Sequence, residues 1–222
     1  MWPFRKKESR RREAFAGFTD WHCHILPGVD DGVQTTDEAL EILRLYEELG
    51  VAEVWLTPHI MEDIPNTPSQ LRERFDALRA AYGGSVRLHL GAENMIDNLF
   101  EERLEADELL PVGDEGDLLL VETSYFNPPM RLDRILQRIR EKGYTPVLAH
   151  PERYLYMEMK EYRALRTAGV KFQQNLFSSG GFYGRHARSK ARSLQRRGMY
   201  DFAGTDLHSL RMLEQYISQN EK

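Results

Sequence analysis

A chain of 222 residues with 41% hydrophobic and 29% charged side chains has ordinary globular composition and is long enough to bury a core without staples. Its net charge of −5 argues against nucleic acid as the main partner, and its single cysteine, Cys23, excludes an intrachain disulfide and a cysteine-pair metal site. No apolar run approaches the roughly 20 residues of a membrane-spanning helix, and the basic N-terminus is not followed by a signal-peptide core, so the cytoplasm is the expected compartment.

Residues 1–14 hold six cationic side chains against two acidic ones and read as a solvated basic tail, with weak contact to an anionic surface or acidic partner as the alternative. From residue 15 to 222 the pattern alternates short apolar runs with amphipathic stretches, the signature of a single α/β domain with parallel strands. Seven strands are expected, at Phe18–His24, Val51–Thr57, Val86–Ala92, Leu118–Thr123, Thr145–Ala149, Val170–Asn175 and Asp201–Gly204. Between them, Thr35 and Glu38 form a capping box for a helix closed by Gly50. Thr67, Pro68 and Gln70 start a second helix that Gly83-Gly84 ends. Leu132–Lys142 and Gly184–Arg197 repeat the theme, each stopped by a glycine. The longest loop segments, Asn94–Gly116 and Pro151–Tyr156, are short for lids.

The chemically capable residues gather at the C-terminal ends of these strands. His22 and His24 share one face of the first strand while Cys23 points away. His59 ends the second, Glu93 the third, Glu122 the fourth and His150 the fifth, and the seventh leads into Asp206 and His208. Asp30 and Asp31 follow the first strand and offer a further carboxylate. Ligands from six of seven strand ends suit a small barrel mouth better than the switch point of an open sheet. Of seven histidines, only His89 and His186 lie elsewhere.

Five imidazoles and four carboxylates around one axis are costly to bury without compensating cations. They are too many for one ion, so two or three divalent ions are expected, and the thiolate-free donor set suits manganese, iron or zinc. Such a centre lowers the pKa of water and clamps the oxygens of a displacement, which points to phosphate-ester hydrolysis. Arg153 and Arg211, each three residues after a strand-end histidine, are the candidate phosphate-binding cations. A nucleophilic-cysteine phosphatase needs an arginine six residues after the cysteine, and Val29 stands there instead.

His22-x-His24, Leu26-Pro27-Gly28-Val29-Asp30-Asp31-Gly32, Thr57-Pro58-His59, Gly91-x-Glu93, His150-Pro151-Glu152-Arg153-Tyr154 and Gly204-Thr205-Asp206-x-His208 resemble the polymerase and histidinol phosphatase (PHP) superfamily. More narrowly, they are similar to the bacterial manganese-dependent protein tyrosine phosphatases of capsule and exopolysaccharide biosynthesis. The resemblance, from about residue 18 to 210, implies a distorted (β/α)7 barrel with a trinuclear manganese centre. Its ligands would be His22, His24, Asp31, His59, Glu93, Glu122, His150, Asp206 and His208. Arg153 would bind phosphate, and Arg211 is the candidate for the family's second arginine. The implied substrate is phosphotyrosine in protein, on an autophosphorylated bacterial tyrosine kinase that controls polysaccharide assembly. The alternatives are a small-molecule phosphomonoesterase of the histidinol phosphatase kind and a non-catalytic module of an export complex.

Overall fold

Among the described residues nine short strands stand where seven were expected, because a further short strand follows just beyond the end of each of the second and third expected strands. A computed structural model describes residues 15–219, and the basic tail expected at residues 1–14 lies outside the described residues. The first strand is β1 (Thr19–Cys23). β2 (Glu53–Leu56) lies inside the second expected strand, and β3 (His59–Ile60) follows beyond it, separated by Thr57-Pro58, where proline cannot donate to a ladder. β4 (Arg87–Leu90) lies inside the third expected strand, and β5 (Glu93–Met95) follows beyond it, past Gly91-Ala92. The remaining strands are β6 (Leu118–Glu122), β7 (Thr145–Ala149), β8 (Lys171–Asn175) and β9 (Phe202–Gly204).

All strand pairs are parallel, in the orders β4-β2-β1 and β3-β5-β6-β7-β8-β9. At the C-terminal end of β1 the segment after β9 closes on it, with Asp206 N donating to His22 O at 2.7 Å and His24 N donating to Leu207 O at 2.9 Å. The architecture is thus a single α/β domain built on a curled parallel sheet.

Helices link the strands. α1 (Thr36–Leu49) starts where Thr35 accepts from Glu38 N and stops at Gly50, whose φ of 86° suits a residue without Cβ. α2 (Pro68–Ala81) has the full Thr67–Gln70 box. α3 (Phe100–Glu105) lies inside the Asn94–Gly116 segment expected as loop, its Phe100 and Leu104 buried; a helix of six residues is too short to show a period. α4 (Leu132–Glu141), α5 (Met159–Thr167), α6 (Leu176–Gly180), α7 (Gly184–Gln195) and α8 (Leu210–Gln219) complete the set. Among the described residues no helix is long and apolar enough to cross a membrane.

Inside the curl, Trp21 stacks on Trp55 with centroids 5.8 Å apart and meets Phe202 at a tilt, with centroids 4.7 Å apart, beside Leu118, Leu120 and Val147. This aromatic plug fills the N-terminal end. The polar side chains are therefore left to the C-terminal end, where the strands deliver their last residues.

Candidate metal centre and phosphate site

At that end the nine expected side chains converge. Cys23 N pairs with Thr57 Oγ1 and its thiol donates to Trp55 O, which turns the sulfur into the outer core. His22 and His24 then both face the inside. Their Nδ1 atoms are taken, His22 by Gln173 Oε1 at 3.0 Å and His24 by Asp30 Oδ2 at 2.8 Å. Both acceptors are oxygens, so the protons sit on Nδ1 and the two Nε2 lone pairs face one another 3.1 Å apart. Glu93 Oε2 lies 3.1 and 3.3 Å from these nitrogens, and Asp206 Oδ1 lies 3.6 and 3.4 Å away. Four electron-rich atoms meet there, all fully or nearly fully buried.

Two further groups adjoin the first. His59 Nδ1 is 3.4 Å from Glu93 Oε2 and 3.3 Å from Glu122 Oε1 and is buried without a hydrogen bond. Asp31 Oδ1 lies 3.6 Å from both His59 Nε2 and His208 Nε2, close to His24. His150 joins through Glu93, its Nε2 2.8 Å from Oε1, while its buried Nδ1 has no partner. Converging imidazole and carboxylate donors with orphaned imidazole nitrogens among them fit divalent cations, which take this mixed donor set.

The electrostatics show the same frustration. Burial works against charged imidazoles at His22 and His24, yet Glu93 and Asp206 around the first and Asp30 beside the second outweigh it and raise both. Burial followed by the charge of His24 lowers His59, and burial with Arg153 nearby holds His150 at about 4. Burial raises Glu122 well above the usual carboxylate range, reinforced by Glu93 and Asp206, whereas at Glu93 the same burial is overcome by His22 and His150. At the rim, the hydrogen bond from His208 holds Asp31 at about 2.

Backbone geometry is unusual at two of these positions. His150 and Asp206 have φ values of 32° and 54°, in the left-handed region that costs a side-chain-bearing residue of order 1 kcal/mol or more. At His150 the turn starts the 3₁₀ segment Pro151–Arg153 and throws Arg153 back over the cavity. Its Nη1 donates to Asp206 Oδ2 at 2.5 Å, and its guanidinium lies between the rings of Tyr125 and Tyr183, 4.3 Å from each centroid. Arg211 is not brought to the site. It is exposed on the first turn of α8, and the neighbouring Met212 lines the cavity instead.

The residues that hold this machinery escaped the sequence reading. The strand end that offers no ligand, β8, supplies amides. Gln173 Oε1 accepts from both His22 Nδ1 and His150 N, and Asn175 Nδ2 donates to Asp206 Oδ2 at 2.9 Å. Glu152, pushed up to about 7 by burial, accepts from Asn175 N and Tyr200 Oη. Asp20 accepts from His22 N and from the amide and hydroxyl of Thr205, which ties β1 to the Asp206 segment. Alternation on β8 does place Gln173 and Asn175 on one face, a weak signal without a known neighbour. Cys23 is buried, and burial pushes its thiol well above the usual range, which leaves it no role as a nucleophile.

The cavity above these groups measures about 510 Å³. Asp31, His59, Glu93, Glu122, Arg153, Asp206 and His208 contribute to its polar lining, and Met61, Ile64, Met95, Phe182 and Met212 to its apolar lining.

Tyrosine-protein phosphatase YwqE of Bacillus subtilis (strain 168) is 28% identical over 200 residues, covering 86% of this chain and 78% of the relative. Tyrosine-protein phosphatase CpsB of Streptococcus pneumoniae is 28% identical over 219 residues, covering 90% and 86%. A chain from the crystal structures of YwqE and CpsB, described as unique metal-dependent tyrosine phosphatases, superposes with a TM-score of 0.82 at 25% identity over 91% of this chain and 84% of that one. The family model for capsular polysaccharide synthesis proteins of the CpsB/CapC type matches residues 18–219, and the chain belongs to that family.

Proposed function

We propose that the protein is a metal-dependent protein tyrosine phosphatase that acts on an autophosphorylated bacterial tyrosine kinase and thereby regulates capsule or exopolysaccharide synthesis. The observation that carries this reading is the meeting of the His22 and His24 lone pairs with Glu93 and Asp206, directly beneath a guanidinium clamped by two tyrosines. The relatives named tyrosine phosphatases support it.

In this reading three divalent ions, manganese by preference over iron or zinc, are shared among the nine side chains. His22, His24, Glu93 and Asp206 form one donor group, His59, Glu93 and Glu122 with His150 a second, and His24, Asp31, His59 and His208 a third. Bound ions supply Lewis acidity and an activated water for attack on phosphorus. Arg153 takes phosphate oxygens with the guanidinium edge that Asp206 leaves free, and gathers the charge that grows on them. Tyr125 and Tyr183 hold that edge in plane. The apolar lining receives the aryl ring. Arg211, exposed and off the cavity, contributes at most a distant charge.

Architecture follows the same proposal. Counting β2 with β3 and β4 with β5 as two interrupted strands, the curled sheet is a distorted (β/α)7 barrel, with residues 15–222 as the catalytic unit behind a basic tail. A cytoplasmic setting belongs to this reading.

Metal analysis beside turnover of a phosphotyrosine peptide and of histidinol phosphate tests it. About three ions per chain are expected, with peptide turnover lost to chelation and restored best by manganese. At most one ion in fully active protein would contradict the trinuclear centre. Preference for histidinol phosphate would reassign the enzyme to small molecules.

A further inference from the structure

The segment from Gly184 to Gly198 carries six cationic side chains and no acidic one, in a chain whose acids outnumber its bases. On α7, Ala187, Ala191 and Leu194 are buried, and Arg185, Arg188, Arg192 and Arg196, the last at its C-cap, are exposed. At about 100° per residue these four arginines and Ser189 fall within roughly 100° of arc, centred about 140° around the helix from the buried face. They line one shallow depression. Among the described residues none of the four has an ion-pair partner.

A solvated helix normally intersperses acids with bases, since like charges three and four apart repel. Here the repulsion is uncompensated, and Arg185 also sits in the first turn, where the helix dipole disfavours a cation. The fold therefore carries a concentrated positive stripe at a cost to its own stability. Its position is informative. α7 begins immediately after Tyr183, the residue that lines the cavity and stacks on Arg153. Lys190 anchors the helix alongside by donating to the carbonyls of Tyr154 and Met157, both 2.6 Å away. The stripe thus starts two residues past the cavity-lining Tyr183 and follows α7 for about 16 Å, the span of roughly five extended residues.

We propose that this arginine face docks an anionic flank of the polypeptide substrate, carboxylate or phosphorylated side chains within several residues of the phosphotyrosine being hydrolysed. The inference rests on the phosphatase reading and adds the substrate class. Charge complementarity supplies the attraction, and continuity with the cavity fixes the register.

The test compares the parent protein with the triple variant Arg188→Gln, Arg192→Gln, Arg196→Gln. Three peptides share one phosphotyrosine core and differ in a flank that is neutral, rich in glutamate, or bears a second phosphotyrosine; p-nitrophenyl phosphate serves as a substrate without a flank. The reading is each peptide's kcat/KM divided by that for p-nitrophenyl phosphate. In the parent both anionic flanks should raise this ratio about tenfold over the neutral one at low salt, and the triple variant should lose that advantage. The glutamate and phosphotyrosine arms show which anion is favoured. In parallel, anisotropy of a labelled glutamate-flanked peptide on chelated protein should show binding that weakens with salt in the parent and is lost in the variant.

Equal ratios for neutral and anionic flanks in the parent, or an advantage that survives in the variant, would overturn the docking proposal while leaving the phosphatase reading standing. Absence of turnover on every substrate would overturn the phosphatase reading, and the anisotropy would then decide the arginine face alone. Binding of the parent, and not the variant, to vesicles containing phosphatidylserine, with unchanged peptide ratios, would assign the face to a membrane instead.

Discussion

Arg153 is held three ways at once, by Asp206 and by two tyrosine rings, and each contact limits what a substitution can retain. Arg153→Ala should keep the metal content but lose about 2 to 4 kcal/mol of transition-state stabilisation, roughly 30- to 1000-fold in kcat/KM on a phosphotyrosine peptide. Arg153→Lys should recover only part, because an ammonium keeps the charge but neither fills the slot between two rings nor forks onto two oxygens. His150→Ala, three residues away, should lower metal occupancy and activity together, since the side chain it removes reaches Glu93 rather than the cavity mouth. Metal analysis and steady-state kinetics on the three variants separate the two roles. An Arg153→Ala enzyme as active as its parent would reduce Arg153 to a rim residue.

At the scale of elements, the curl depends on a close approach between β9 and β1. A Cβ at Gly204 would lie 2.7 Å from both Cβ and N of His22 and 2.9 Å from Gln173 Nε2, nearer than side chains pack. Gly204→Ala should therefore destabilise by about 1 to 3 kcal/mol and displace His22. Thermal unfolding together with metal content checks this, and an unaltered protein would mean that the strands can separate freely. Much at this scale was legible in the sequence. Capping at Thr35 and Thr67 placed α1 and α2, and strand alternation placed His22 and His24 together with Cys23 behind them. The two extra strands β3 and β5 were not legible, because they are only two and three residues long and exist only through pairing with their neighbours. The support from Gln173, Asn175, Asp20 and Glu152 was hidden for a related reason. A buried amide or carboxylate declares its role only through partners far off in sequence, such as Gln173 and His22, 151 residues apart.

For the whole molecule, the proposed metal centre sets protons and metal ions in competition for the same atoms. Without ions, His22 and His24 have raised affinity for protons, so their contribution to stability is present below the ordinary imidazole value and lost as pH rises through the raised one. With ions the sign reverses, because a ligand must first shed its proton. Chelation should therefore lower the Tm most near pH 8 and progressively less toward pH 5, and dialysis at about pH 5 should strip the ions. Calorimetry with and without chelator across that range measures it. A chelation shift independent of pH would show that the buried histidines do not hold the ions.

Glu93 gives this competition a particular form. Its Oε2 approaches His22, His24 and His59, and its Oε1 approaches His150, so one side chain borders neighbouring donor groups. In the proposed metal centre, a carboxylate used in common would make occupancy of one position a precondition for good geometry at the next. At limiting metal the population should then divide into filled and empty molecules with few in between, and the protein would act as an all-or-none sensor of its ion supply.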